Sequence, residues 1–251
     1  MTGKRYKRYR DFLKDSIRQE VDFSRTDQMQ GVPPPPIGKP PENGKPGIPL
    51  ARPEELLSFG EISLGEAIRR RNSRRNYKEA PLSLEELSWL LWVTQGIVRE
   101  VGEGTAFRTV PSAGCRHSFE TYLIVFNVTG LEQGIYRYLA REHMLLEVSR
   151  PERLGQKLAV ATLGQDFSAR SAVTFAWTAI PQRMEWRYAE AAHKVIAIDI
   201  GHVCQNLYLA VEAIGAGTCA MGAYHQEGMD MLLGVDGEDE FTIYMASVGK
   251  V

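Results

Sequence analysis

Three cysteines in 251 residues, Cys115, Cys204 and Cys219, are too few and too widely spaced for a disulfide framework. They form no CxxC pair, and a reducing cytoplasmic setting fits such usage. Charge of one sign is also missing: 30 Lys and Arg stand against 31 Asp and Glu, for a formal net charge of -1. No global field therefore draws the chain to nucleic acid or to an anionic membrane. There is no uninterrupted apolar run of membrane-spanning length, and the N-terminus lacks the apolar stretch of a signal peptide. HExxH, Walker and GxGxxG motifs, a serine nucleophile elbow and paired catalytic carboxylates are all absent, which removes support for the corresponding metalloprotease, nucleotide and hydrolase readings. With 43% hydrophobic and 24% charged residues, what remains is a chain able to bury one substantial core.

Proline, by contrast, is concentrated. Residues 31–53 hold nine prolines, Pro33 to Pro36 among them, and opposing a helix or central strand they mark an extended arm lying over its own subunit or a neighbour. Before the arm, MTGKRYKRYR carries five Lys or Arg in ten positions, a solvated basic surface that could begin a helix with Phe12 and Leu13 in apolar contact. The expected division is therefore a basic segment and arm over 1–57 and a folded domain over 58–251.

Within that domain, Ser63 with Glu66 three residues on predicts a helix start, with Leu64, Ala67 and Ile68 supporting an amphipathic face. Ser83 predicts another, with Leu87, Leu90 and Leu91 buried and Gly96 as exit. TYLIVFNV and GIYRYL read as strands that could pair as a hairpin; AVTFAWTAI and EFTIYMASVG read as further strands, and 151–169 as helical. DIGHVCQNLYLAVEAIGAG places Val203, Leu207, Ala210, Val211 and Ile214 at helical spacing, predicting a central packing helix with Asp199 near its start and Gly215 at its end. The mixture points to a layered α/β or α+β domain.

Three segments could carry chemistry. Arg69, Arg70, Arg71, Ser73, Arg74 and Arg75 offer directed donors for an anion, although a solvated charge cluster uses the same residues. Pro111, Ser112, Ala113 and Gly114 would let backbone approach a planar ligand, or simply form a tight turn. In GAGTCAMG, the backbone around Gly217 and Thr218 could contact ring oxygens or a phosphate, while helix termination and close packing account for the same glycines. Cys115 and His117 suit a structural or supporting role better than that of a nucleophile. His193 and His202 do not complete a metal sphere, and Asp199 with His202 reads as a hydrogen-bonded pair or a helix cap.

Taken in order, RRRNSRRNY, PSAGCRHSFETYLIVFNV, DIGHVCQNLYLAVEAIGAGTCAMG and the terminal ASVGK resemble the nitroreductase-like FMN oxidoreductase superfamily over residues 58–251, and especially its SagB-type dehydrogenase branch. The resemblance implies an α+β, three-layer fold with a central mixed, mainly antiparallel sheet flanked by helices. It also implies FMN held in a homodimer. Arg71, Ser73, Arg75 and Lys250 would lie toward the cofactor's phosphate or ribityl, Pro111, Ser112, Ala113 and Gly114 along its ring, and Gly217 and Thr218 on the cofactor side. The implied activity is two-electron transfer through flavin N5, between NAD(P)H or a small organic or peptide-derived donor and an acceptor. Azoline oxidation is a narrower alternative, weakened by the lack of a Lys-Tyr step in the central region, and a noncatalytic flavin-binding protein is another. No catalytic side chain and no metal site is implied.

Overall fold

The computed structural model describes residues 6–42, 44–102 and 104–251. In chain order its named helices and strands are α1 (Lys7–Asp11), β1 (Gly47–Pro49), α2 (Leu64–Arg70), α3 (Leu84–Gln95), β2 (Ile97–Gly102), β3 (Thr105–Arg108), β4 (Phe119–Val125), β5 (Gly134–Leu139) and β6 (Met144–Ser149). They continue with α4 (Leu154–Ala161), β7 (Val173–Ala179), α5 (Gln182–Tyr188), α6 (Ala192–Ala210), β8 (Ala216–Met221), α7 (Gln226–Leu233) and β9 (Phe241–Lys250).

Seven strands form one sheet in the order β1-β6-β5-β4-β7-β9-β8, every neighbouring pair antiparallel. Parallel bridges at Ser73–Thr218 and Leu82–Val128 make it mixed. The strand period of two sorts β4 between two cores. Leu123 and Val125 join Phe175 and Trp177 beneath α3 and α6, while Tyr122 and Ile124 join Ala176 and Met245 beneath α4 and α7. The result is the three-layer α+β architecture implied by the sequence. The hairpin of β4 and β5 is present, with Thr121 opposite Tyr138 and Val125 opposite Gly134.

Local chemistry explains the helix starts. Ser63 Oγ accepts from Glu66 N at the head of α2, and Ser83 and Glu86 form a reciprocal capping box on α3. Leu87, Leu90 and Leu91 are fully buried, each stabilising the core by about 1.5–3 kcal/mol. Three expectations need correction. Leu64 and Ile68 face solvent, and only Ala67 of that trio is buried, because α2 meets the core across a single narrow line. Phe12 and Leu13 are exposed just beyond the short α1; Lys4 and Arg5 of the basic segment lie outside the described residues. The long helix begins at Ala192, so Asp199 sits in its third turn rather than at its start. Its end is as expected: a 3₁₀ turn, Val211–Ile214, closed by Gly215 in the left-handed region at φ 61°.

The Pro-rich arm lies over its own subunit. Its carbonyls, having few backbone donors nearby, are met by side chains: Trp186 Nε1 donates to Val32 O at 2.8 Å, Arg116 to Pro35 O at 3.3 Å, and Arg137 to Pro40 O at 2.7 Å. Ile37 and Leu50 are buried, and β1 extends the sheet beside β6.

Candidate functional site

Glu66 divides the arginine cluster. It pairs with Arg69 at 2.6 Å and also with Arg70, whereas Arg71, Arg74 and Arg75 have no carboxylate partner among the described residues. A parallel bridge between Ser73 and Thr218 holds the second half of the cluster against the sheet, Arg74 N donating to Thr218 O at 2.9 Å. Gly217 permits that approach, since a Cβ there would lie 2.7 Å from Arg74 Cγ and 2.7 Å from Val251 Cγ1. Thr218 is itself buried, its hydroxyl donating to Ser247 O at 2.9 Å. Gly217 and Thr218 thus seat the basic segment.

Side-chain directions then separate the arginines. The Arg71 guanidinium lies 5.3 Å from the centroid of the Tyr208 ring on α6, and Ser73 Oγ is 2.9 Å from Tyr208 Oη. Tyr208 Oη also accepts from Ala220 N at 3.0 Å, so one phenol ties α6 to both β8 and the basic segment. Arg75 instead lies 5.7 Å from the Phe167 ring, on the α4 side of the sheet. A cleft of about 460 Å³ at this edge is lined by Ser73–Lys78 and Val251 and by none of Pro111–Gly114. Lys250 is near but engaged, donating to Glu86 and, at 2.7 Å, to Ile214 O.

The small-residue turn is a strained backbone held from several sides. Gly114, Cys115 and His117 have φ of 57°, 54° and 47°, conformations that cost non-glycine residues about 1–2 kcal/mol each. Ser112 Oγ accepts from His117 N at 3.0 Å, and Asp199 Oδ2 accepts from Ala113 N at 3.1 Å. His117 Nε2 donates to Ala106 O at 3.0 Å; burial, followed by the charge of Arg108, pushes its pKa down to about 3, so the ring is neutral. Burial raises the Asp199 pKa against the pull of Ser112 and Ala113. Asp199 therefore neither caps α6 nor hydrogen-bonds His202, correcting that expectation. A Cβ on Gly114 would lie 2.8 Å from Arg187 Cδ and 2.9 Å from Tyr188 Oη. At this turn the residue type is dictated by φ and by space together.

The residues therefore fall into two groups, each tied to α6. Asp199 and Tyr208 are nine residues apart, about two and a half turns, and so leave the helix in opposite directions. Between these rims α6 exposes Ala197, Ile198, Gly201, His202 and Gln205, a face without Asp, Glu, Lys or Arg. Among the described residues no group of His, Cys, Asp and Glu is placed to hold a metal, and no helix is long and apolar enough to cross a membrane. Sequence reasoning missed Tyr208, whose signal was a polar aromatic at the rim of a long apolar helix.

The nitroreductase family profile matches residues 68–250. The chain belongs to the nitroreductase family. It is 32% identical over 196 residues to a Methanocaldococcus jannaschii protein named as a nitroreductase, MJ1384, covering 78% of this chain and 95% of that one. A solved nitroreductase-family structure from Ralstonia eutropha superposes with a TM-score of 0.67 at 25% identity, covering 87% of this chain and 94% of the other. A shorter likeness, 31% over 112 residues, is to the trifolitoxin-processing protein TfxB of Rhizobium leguminosarum bv. trifolii; it covers 43% of this chain and 30% of TfxB. The family is one of oxidoreductases that typically bind flavin, and the basic edge and tight turn suit such a group: arginines without acid partners at one end, a turn of small residues at the other.

Proposed function

We propose that this nitroreductase-family protein is an FMN-dependent oxidoreductase acting as a homodimer, each cofactor lying between the Arg71–Ser73 edge of one protomer and the Pro111–Gly114 turn of the other. The observation that carries this reading is the exposed face of α6, free of Asp, Glu, Lys and Arg, between two half-sites that point away from each other within one chain. Pairing two such faces about a twofold axis places each half-site beside its complement, as an isologous interface requires.

When bound, FMN supplies two-electron chemistry through N5 of its ring. The chain's own residues do the rest. Arg71 and Ser73 hold the phosphate by charge-assisted hydrogen bonds. Arg75, on the α4 side, contributes field at longer range. Lys250 joins them once it exchanges Glu86 for the phosphate. The Pro111–Gly114 turn would line the ring, with Ser112 and Asp199 keeping that turn from relaxing and neutral His117 bracing it from beneath through Ala106 O. Residues 58–251 form the cofactor-binding unit, with the 1–57 segment as a brace upon it.

NADH, NADPH or a small organic donor is the expected electron source, with a nitro compound or quinone as acceptor. The likeness to TfxB supports a second reading, assignment to the SagB-type branch with a peptide-derived azoline as donor. Anaerobic stopped-flow spectroscopy on natively purified protein separates them: bleaching of bound flavin by a nicotinamide and its return on adding an acceptor supports the first, bleaching by an azoline alone the second. A protein that retains flavin unreduced by any of these donors is a noncatalytic flavin binder, and one that binds no FMN at all overturns the whole reading.

A further inference from the structure

Beneath the Pro-rich arm lies a cavity of about 470 Å³ that neither half-site lines. Its walls concentrate an unusual feature. Gln95 and Thr121 are 1% and 2% exposed, yet Gln95 Nε2, Thr121 Oγ1 and Arg108 Nε have no hydrogen-bond partner. Each such buried group costs about 1–3 kcal/mol, and three of them line this one cavity. Their polarity is fixed. Gln95 Oε1 accepts from Arg108 Nη1 at 2.7 Å, which makes the buried NH2 the amide's unpartnered end, while Arg108 Nη2 donates to Ile37 O and, like Nη1, keeps a second N–H. The unsatisfied set is two N–H donors and a hydroxyl, which calls for an acceptor.

The acceptor is anionic. Arg108 forms no ion pair among the described residues, and burial lowers its pKa to about 10. Glu120, also in the wall, is already engaged by Arg183, by Lys39 N at 2.8 Å and by Arg137 at 3.9 Å. Arg108 feels Glu120 only from beyond ion-pair distance and shares it with Arg183 and Arg137, so positive charge is in excess beside apolar walls from Ile37, Phe119, Tyr138 and Leu139, while the prolines of the arm form the roof. We propose that this cavity binds a small organic carboxylate with an apolar body, at a site separate from the flavin half-sites and covered by the arm.

Calorimetric titration of the natively purified full-length protein with benzoate, and with benzamide as its neutral counterpart, tests this. Benzoate should bind saturably and benzamide at least tenfold more weakly. Thr121→Val, which removes a hydroxyl at constant shape, should weaken benzoate about fivefold. Gln95→Glu should abolish its binding by supplying Arg108 with a fixed carboxylate; circular dichroism checks that both variants remain folded. Flavin content should be unchanged in both, so failure here is distinguishable from failure of the flavin assignment. Absence of saturable binding by benzoate and hexanoate, or equal benzoate affinity in the native protein and Gln95→Glu, overturns the proposal.

Discussion

Among the arginines, neighbours in sequence have unequal roles because Glu66 reaches only two of them. Arg69 and Arg70 already have their counter-charge on the exposed surface, where such pairs stabilise little. Arg71 does not, and it leans on the ring of Tyr208 beside Ser73. Arg71→Ala should therefore weaken FMN binding at least tenfold in a fluorescence titration, the scale of a lost charge-assisted hydrogen bond of about 1.5–3 kcal/mol. Arg69→Ala should change it less than twofold; equal losses would mean general destabilisation. His117 and Asp199 respond to pH in opposite senses. The folded His117 pKa, about 3, lies below its ordinary 6.5, so the native state resists protonation that the unfolded chain accepts. Its contribution is full above pH 6.5 and is lost as pH falls through the window to 3, by about 1.4 kcal/mol per unit. Asp199, with its pKa raised, contributes most below the ordinary carboxylate range and loses that contribution as pH rises through its folded value. Urea unfolding of His117→Gln should show a shallower loss of stability between pH 6.5 and 4 than the native chain, and an unchanged slope would remove His117 from this account.

Elements whose ends carry their own chemistry were legible from sequence, and those ended by tertiary contacts were not. Ser63 and Ser83 announced α2 and α3, and β-branched and aromatic content announced β4, β5, β7 and β9. The start of α6 carries no such signal: Ala191 makes no capping bond, and the next turns are rich in Val and Ile that read equally as strand. The strands β1 and β3 are short, and β2 is exposed along nearly its whole length, so no buried periodicity marks them. The site was legible as two segments, but not as two directions, since only three-dimensional placement shows Arg71 on Tyr208 and Arg75 on Phe167. Docking of the basic segment on β8 is the step most sensitive to side-chain bulk. A methyl on Gly217 meets Arg74 Cβ at 2.8 Å, near the backbone where it cannot swing aside. Gly217→Ala should cost about 1–3 kcal/mol and lower flavin retention together in the same preparation. A stable variant with normal flavin content would show that the segment docks by other means.

At the scale of the whole molecule, the proposed function requires that α6 be covered. The face bearing Ala197, Ile198, Gly201 and Gln205 is exposed on the chain's longest helix, and Gly201 has open space where a side chain would stand. A stripe with small residues and no Asp, Glu, Lys or Arg admits close approach of a second helix, and a buried unpaired carboxylate there would cost several kcal/mol. Gly201→Glu should accordingly shift the protein from dimer to monomer in light scattering and strip it of flavin, since each cofactor would lose half of its contacts. Met231→Glu provides the comparison: that methionine is 82% exposed on α7, on the opposite side of the sheet, and the change should alter neither property. The two readouts bear on different steps. A monomeric Gly201→Glu protein that keeps its flavin would place a complete cofactor site within one chain, while a dimeric one would move the interface away from α6. Loss of both, at unchanged secondary structure by circular dichroism, is what two half-sites facing outward from one helix demand.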